Sequence, residues 1–171
     1  MNWIDAIENS GYAIWVRESP SILAFTTILA LHAMGLAIIV GINTIVALRL
    51  LGYVPEIPVL KLKKLFPWMY VGFTINAASG LSLLAANLSN DLGNWMFLTK
   101  LTLIALAMIN MELMRAKVFD DPVLVQGGAL PASARRFAIV SLVLWTLAVC
   151  AGRFSEYPYM IDAWTTKLFG G

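Results

Sequence analysis

The chain has 171 residues, the length of one domain, and 60% of them are hydrophobic against 13% charged, with a mean hydropathy of +0.78. A soluble domain of this size needs a polar surface that such a composition cannot provide. The formal net charge of +2 is too small and too scattered for a nucleic-acid partner, and the single cysteine, Cys150, rules out an intrachain disulfide and any multi-cysteine zinc site.

In chain order, residues 1–18 come first. Trp3, Ile4, Ile7, Ile14 and Trp15 fall on one arc at 100° per residue, with Asp5, Glu8 and Tyr12 beyond one edge. The pattern predicts one amphipathic helix lying in a membrane interface. It is not read as a cleaved signal peptide, because it lacks a basic start and carries two acids early. Four apolar spans follow within residues 19–155, at about 22–51, 66–88, 95–118 and 136–154. Each is long enough to cross a hydrocarbon core, which takes roughly 20 helical residues. In lipid the backbone must satisfy its own hydrogen bonds, so the spans are helices, and the alternation of a barrel strand is absent. Ser19-Pro20 is expected to open the first span, and Gly52 and Pro55 to end it. That span is longer than one crossing requires, so it should tilt or protrude. Cys150 lies in an apolar run and reads as a small buried core residue. In the tail, residues 156–171, Met160, Ile161, Trp164 and Leu168 cluster on one face after Pro158 as a second interfacial segment.

Basic residues near the span ends set the orientation. Arg49, Lys61, Lys63, Lys64, Arg115, Lys117, Arg135 and Arg136 flank one side, and Arg17, Lys100, Arg153 and Lys167 the other, eight against four. This places loops 52–65 and 119–135 in the cytoplasm, with both termini and the Ser89–Asn94 turn outside. Trp3, Trp15, Trp95, Tyr157, Tyr159 and Trp164 mark the outer interface, and Tyr53, Phe66, Trp68 and Tyr70 the inner one. The expected fold is all-α, an integral membrane up-down four-helix bundle with flanking interfacial amphipathic helices. Gly72, Asn76, Ser79, Leu83 and Ala86 form a stripe on the second span where another helix can come close.

Ionisable groups inside a bilayer cost at least ~2.5 kcal/mol each, so they are the natural site candidates. His32 is the only histidine and lies about three turns into the first span, with Gly35 and Asn43 on the same face. A neutral imidazole there can ligate haem iron or copper, relay a proton, or simply hold helices together. One histidine cannot supply bis-histidine ligation; the second ligand would be methionine, water, another copy or another subunit. Lys100 either snorkels outward or meets an acid such as a haem propionate. Arg153, next to Gly152, either anchors at the interface, pairs with Glu156, or binds a carboxylate or phosphate. Glu112 and Arg115 are spaced to pair, and Asn43, Asn76 and Asn110 to hydrogen-bond between helices. The eight methionines form no copper-binding cluster and read as packing. No phosphate-binding glycine loop, His-Glu-x-x-His, Cys-x-x-Cys-His or nucleophile elbow occurs, so a self-contained catalyst is not expected and any haem would be held non-covalently.

Several short motifs add a resemblance. Arg17-Glu18-Ser19 precedes Leu31-His32-Ala33-Met34-Gly35 and Leu48-Arg49-Leu50-Leu51-Gly52; then come Phe97-Leu98-Thr99-Lys100, Asn110 and Ala151-Gly152-Arg153. In order and spacing these resemble a family of uncharacterised bacterial four-helix inner-membrane proteins, distantly similar to the membrane domain of copper-resistance protein D. The resemblance runs from about Arg17 to Arg153. It implies a bacterial cytoplasmic-membrane protein in which His32, Lys100 and Arg153 are the shared polar set. Two departures are Ala47, where relatives often have an acid, and Glu112-Leu113-Met114-Arg115, where they often carry a histidine.

Three functions stay open at this point. The first is a redox- or metal-linked membrane subunit holding b-type haem, or copper, through His32, with Lys100, Arg153, Asn43 and Asn76 around the cofactor. The second is a non-catalytic accessory subunit with no cofactor, in a homo-oligomer or with other membrane subunits. The third is a small transporter, ranked last because there is no inverted repeat or broken helix.

Overall fold

The computed structural model of the chain describes residues 3–157. The expected tail face of Met160, Ile161, Trp164 and Leu168 lies outside them. The described residues form helices and the turns and loops between them, without strands. Two short helices come first, α1 (Trp3–Glu8) and α2 (Gly11–Glu18), followed by α3 (Phe25–Leu51). Next, α4 (Val59–Leu62) runs through a tight turn at Lys63–Leu65 into α5 (Phe66–Ala86). A short α6 (Leu88–Gly93) leads to α7 (Trp95–Met114), which a wide π turn prolongs over Arg115–Phe119. The chain then forms α8 (Pro122–Val125) and α9 (Ser133–Phe154). Four stretches are long and apolar enough to cross a membrane: Phe25–Leu51, Val59–Ala86, Trp95–Phe119 and Ser133–Phe154. They fall on the four expected spans.

Each span buries a narrow stripe. In α3 it is Gly35, Ile39, Asn43, Val46, Ala47 and Leu50; in α9 it is Ala134, Ala138, Ser141, Trp145, Ala148 and Ala151. The three- and four-residue steps are those of one helix face. The remaining faces leave Leu29, Leu31, Met34, Ile45, Leu81, Leu101, Ile109 and Val143 exposed. So much exposed apolar surface suits lipid and not water. α3 packs along α5 and along α9, and α7 packs along α9. Small residues bring the first pair together: a Cβ on Gly35 would lie 2.6 Å from the Asn76 backbone nitrogen, and one on Gly72 would lie 3.0 Å from the Gly35 carbonyl.

The two ends of the molecule differ. At the α4 end the core is sealed by Val59, Leu62, Phe66, Met69, Met111, Met114, Val118 and Phe119. The Phe66 and Phe119 rings meet edge-on at 5.1 Å. Gly52 ends α3 in the left-handed region at φ 94°, with Gly52 N–H donating to Arg49 and Tyr53 N–H to Leu48 at 3.0 Å. That is a Schellman motif, a conformation glycine adopts at no steric cost. Arg49 donates to the Ile57 carbonyl, Lys63 pairs with Asp120 at 2.6 Å, and Tyr70 donates to Glu112, which also pairs with Arg115 at 3.1 Å. The expected Glu112–Arg115 pair is therefore present, with Tyr70 joining it to α5.

Four expectations need correction. The N-terminal segment is two helices, because Ser10 caps α2 through the Ala13 N–H and breaks the run. The packed face of α2 is Ala13 and Val16, α1 buries no residue, and Trp3, Ile7, Ile14 and Trp15 are exposed. α2 lies on α5 and α1 on α6: Tyr12 donates to Ser82 at 2.9 Å, Arg17 to the Ala86 carbonyl at 3.1 Å, and Ser89 N–H to Glu8 at 2.8 Å. Ser19-Pro20 does not open α3. Ser19 is extended, as a residue before proline prefers, and α3 starts at Phe25. Cys150 is exposed, on the opposite side of α9 from Ala148 and Ala151. His32 sits two turns into α3, ~10 Å from its start, because the helix begins later than expected.

Candidate functional site

The site is a cavity of about 530 Å³ at the α6 end, walled by α3, α5, α7 and α9. Its size is within the usual range for small-molecule and cofactor sites. His32, Asn76, Lys100 and Arg153 all line it. Asn43 does not: it is fully buried deeper in the core, where its carbonyl accepts from Ser141 on α9. Its amide nitrogen and the Trp145 indole N–H are buried without a hydrogen-bond partner among the described residues.

His32 is held by the backbone of α5. Its Nδ1 lies 2.9 Å from the Asn76 carbonyl and 3.3 Å from the Ser79 hydroxyl, which itself donates to Ile75. A carbonyl only accepts, so Nδ1 carries the proton and Nε2 keeps its lone pair. In return the Asn76 side-chain amide donates to the His32 carbonyl at 2.8 Å, which leaves its 3.5 Å approach to Nε2 a marginal contact. Gly80 is one turn on from Asn76. A Cβ there would sit 3.0 Å from the His32 ring, so glycine makes the space the imidazole occupies. A histidine with its N–H fixed by a backbone carbonyl and its other nitrogen free is the usual disposition of a metal-ligating imidazole.

Lys100 lies five residues into α7, ~7.5 Å from the helix start. Its stem rests on α9, with Cδ 3.3 Å from where a Gly152 Cβ would be. Its ammonium is 5.2 Å from the Phe97 ring centroid and has no ion-pair partner within 4 Å among the described residues. Asn94 fixes this wall: its side-chain carbonyl caps α7 at Met96 N–H, 3.0 Å, and its amide donates to the Ser155 carbonyl of the α9 end at 2.9 Å. Arg153 does not pair with Glu156. It donates to the Tyr157 hydroxyl at 3.0 Å and stacks on that ring.

Two carboxylates, unremarked in the sequence as site residues, complete the rim: Asp91 on α6 and Glu156 just past α9. Burial pushes the Asp91 carboxyl above its ordinary range, and the negative charge of Glu156 adds to this. Neither acid carries a signal in the sequence, because a charge in an interfacial turn costs nothing that needs explaining. The walls between rim and His32 are apolar, with Phe25, Leu29, Leu36, Leu83, Phe97 and Ile104. The arrangement suits a ligand with an apolar body, an acidic edge toward the rim and a group that an imidazole can coordinate or hydrogen-bond. Comparison with models of protein families, with curated proteins and with solved structures finds no match to the chain.

Proposed function

We propose that this is an integral membrane protein whose four spans form an up-down bundle, with α1 and α2 at the interface, and that the cavity would hold b-type haem with His32 as its protein ligand. The supporting observation is the convergence on one cavity of a lone histidine, whose Nε2 has only a 3.5 Å contact with the Asn76 amide, and two cations that lack an acidic partner within 4 Å among the described residues. A porphyrin brings four nitrogens of its own, so one protein ligand suffices. Copper held by side chains needs more ligands, and the described residues contain no group of three or more His, Cys, Asp or Glu that could hold an ion. Haem is therefore the better fit.

His32 would bind the iron, with the Asn76 carbonyl setting its tautomer and orientation. Lys100 and Arg153 would bind the propionates at the rim, and the apolar walls would keep water from the ring. When bound, haem supplies one-electron and oxygen chemistry. No methionine lines the cavity, so any further ligand to the iron would come from water or from another subunit. The balance of basic residues supports an orientation with the rim and both termini outside, and the family resemblance supports a bacterial cytoplasmic membrane.

The test is a visible absorption spectrum with metal analysis of protein purified in mild detergent. The expected result is a Soret band that His32→Ala abolishes, and that Lys100→Met and Arg153→Gln leave in place with weaker haem retention. A colourless protein, or a spectrum unchanged by His32→Ala, overturns the reading.

A further inference from the structure

We propose that the cavity opens sideways to the lipid between α5 and α7 and is filled from the membrane, by a carboxylate amphiphile with an apolar body. The inference rests on the cavity being a binding site, as above, and not on haem being its occupant.

Three neighbouring helix pairs pack along one another: α3 with α5, α3 with α9, and α7 with α9. The fourth, α5 and α7, does not. Its tie is the Tyr70–Glu112 hydrogen bond, at the end remote from the cavity. At the cavity end α6 joins the two helices, packing on both. Toward the cavity α5 turns Leu83 and Leu84 along with Asn76, which is engaged with His32, and α7 turns Phe97 and Ile104 along with Lys100.

Charge decides between the two routes. At the rim the two carboxylates of Asp91 and Glu156 stand with the single cation Arg153, so an anion arriving from water meets no net attraction there. An anion arriving through the slot meets Lys100 first. That ammonium is half-buried and has no ion pair within 4 Å among the described residues. A membrane-dissolved amphiphile can thus place its carboxylate at Lys100 while its apolar body stays between α5 and α7.

The experiment uses the full chain reconstituted in phosphatidylcholine vesicles containing a diazirine-bearing palmitate, with adducts mapped after illumination. Adducts are expected at Leu83, Leu84 and Ile104, falling about tenfold in Lys100→Met and returning in Lys100→Arg. Excess plain palmitate removes the same adducts. Labelling confined to outward residues such as Leu81 and Leu101 overturns the inference, and so does labelling of the cavity that ignores Lys100→Met. Melting curves confirm that each variant is folded. A Soret band without lateral labelling leaves the haem reading standing and this one fallen; lateral labelling of a colourless protein does the reverse.

Discussion

Replacing Gly35 with alanine tests the contact on which the site depends. The new methyl would lie 2.6 Å from the Asn76 backbone nitrogen and 2.7 Å from the Gly72 carbonyl oxygen, and neither is a side chain that can swing aside. Comfortable contact begins near ~3.5 Å, so α3 and α5 must separate by about 0.9 Å. The His32–Asn76 hydrogen bonds, 2.9 and 2.8 Å long, then stretch beyond ordinary range. Overpacking costs about 1–3 kcal/mol, and two interhelical hydrogen bonds add ~0.6 kcal/mol each. The total is roughly 2–4 kcal/mol, a fall in Tm of roughly 5–15 °C in detergent. Circular dichroism measures the melt, and diethylpyrocarbonate reads the freed imidazole, because His32 is the only histidine. Gly41→Ala is the control, since a Cβ there meets nothing within 4 Å. If Gly35→Ala melts with Gly41→Ala and His32 is no more reactive, the close-approach argument is wrong.

The tie between α5 and α7 should be modest: Tyr70→Phe is expected to cost ~0.6–1.7 kcal/mol, and a double-mutant cycle with Glu112→Gln should show the two losses are not additive. Glu8 accepts from the N–H and hydroxyl of Ser89, which holds its carboxyl below the ordinary 4.5. Its stabilisation is therefore present above pH 4.5 and lost as pH falls through the lowered value, so the Tm gap between wild type and Glu8→Gln should close in acid. Asp91 behaves oppositely. Its raised carboxyl contributes stability below its ordinary 3.8 that is lost as pH rises through the folded value, so Asp91→Asn should melt higher than wild type at neutral pH.

The spans were legible because lipid demands long apolar helices and leaves few alternatives. The polar residues were legible for the same reason: His32, Asn76 and Lys100 are costly in hydrocarbon, so each stood out, and the fold brings them to one cavity together with Arg153. Asn43 stood out equally but serves the α3–α9 contact through Ser141, since periodicity gives the face of a helix and not which neighbour meets it. Asn76 and Asn110 reach backbone carbonyls on facing helices, at His32 and Phe137. Near the interface the signal fades. Asp91, Glu156 and the Arg153–Tyr157 contact sit where charge is cheap, and the break at Ser10 depends on a single capping bond that an apolar arc outweighs. Gly80 was silent because a glycine's importance lies in what approaches it.

The pairing of α3 with α5 and of α7 with α9 also sets an order of biogenesis. Synthesis runs from the N-terminus. Once Ala86 has been made, the first hairpin can close on itself, with Gly35 against Gly72 and His32 already shielded by Asn76. Lys100 arrives next, and its stem has no Gly152 to rest on until α9 is made. Only when the second hairpin docks on the first, α9 against α3, does a cavity exist at all. Cofactor or lipid would thus be captured at the final step of assembly, and a nascent chain halted before α9 would have nothing with which to hold it.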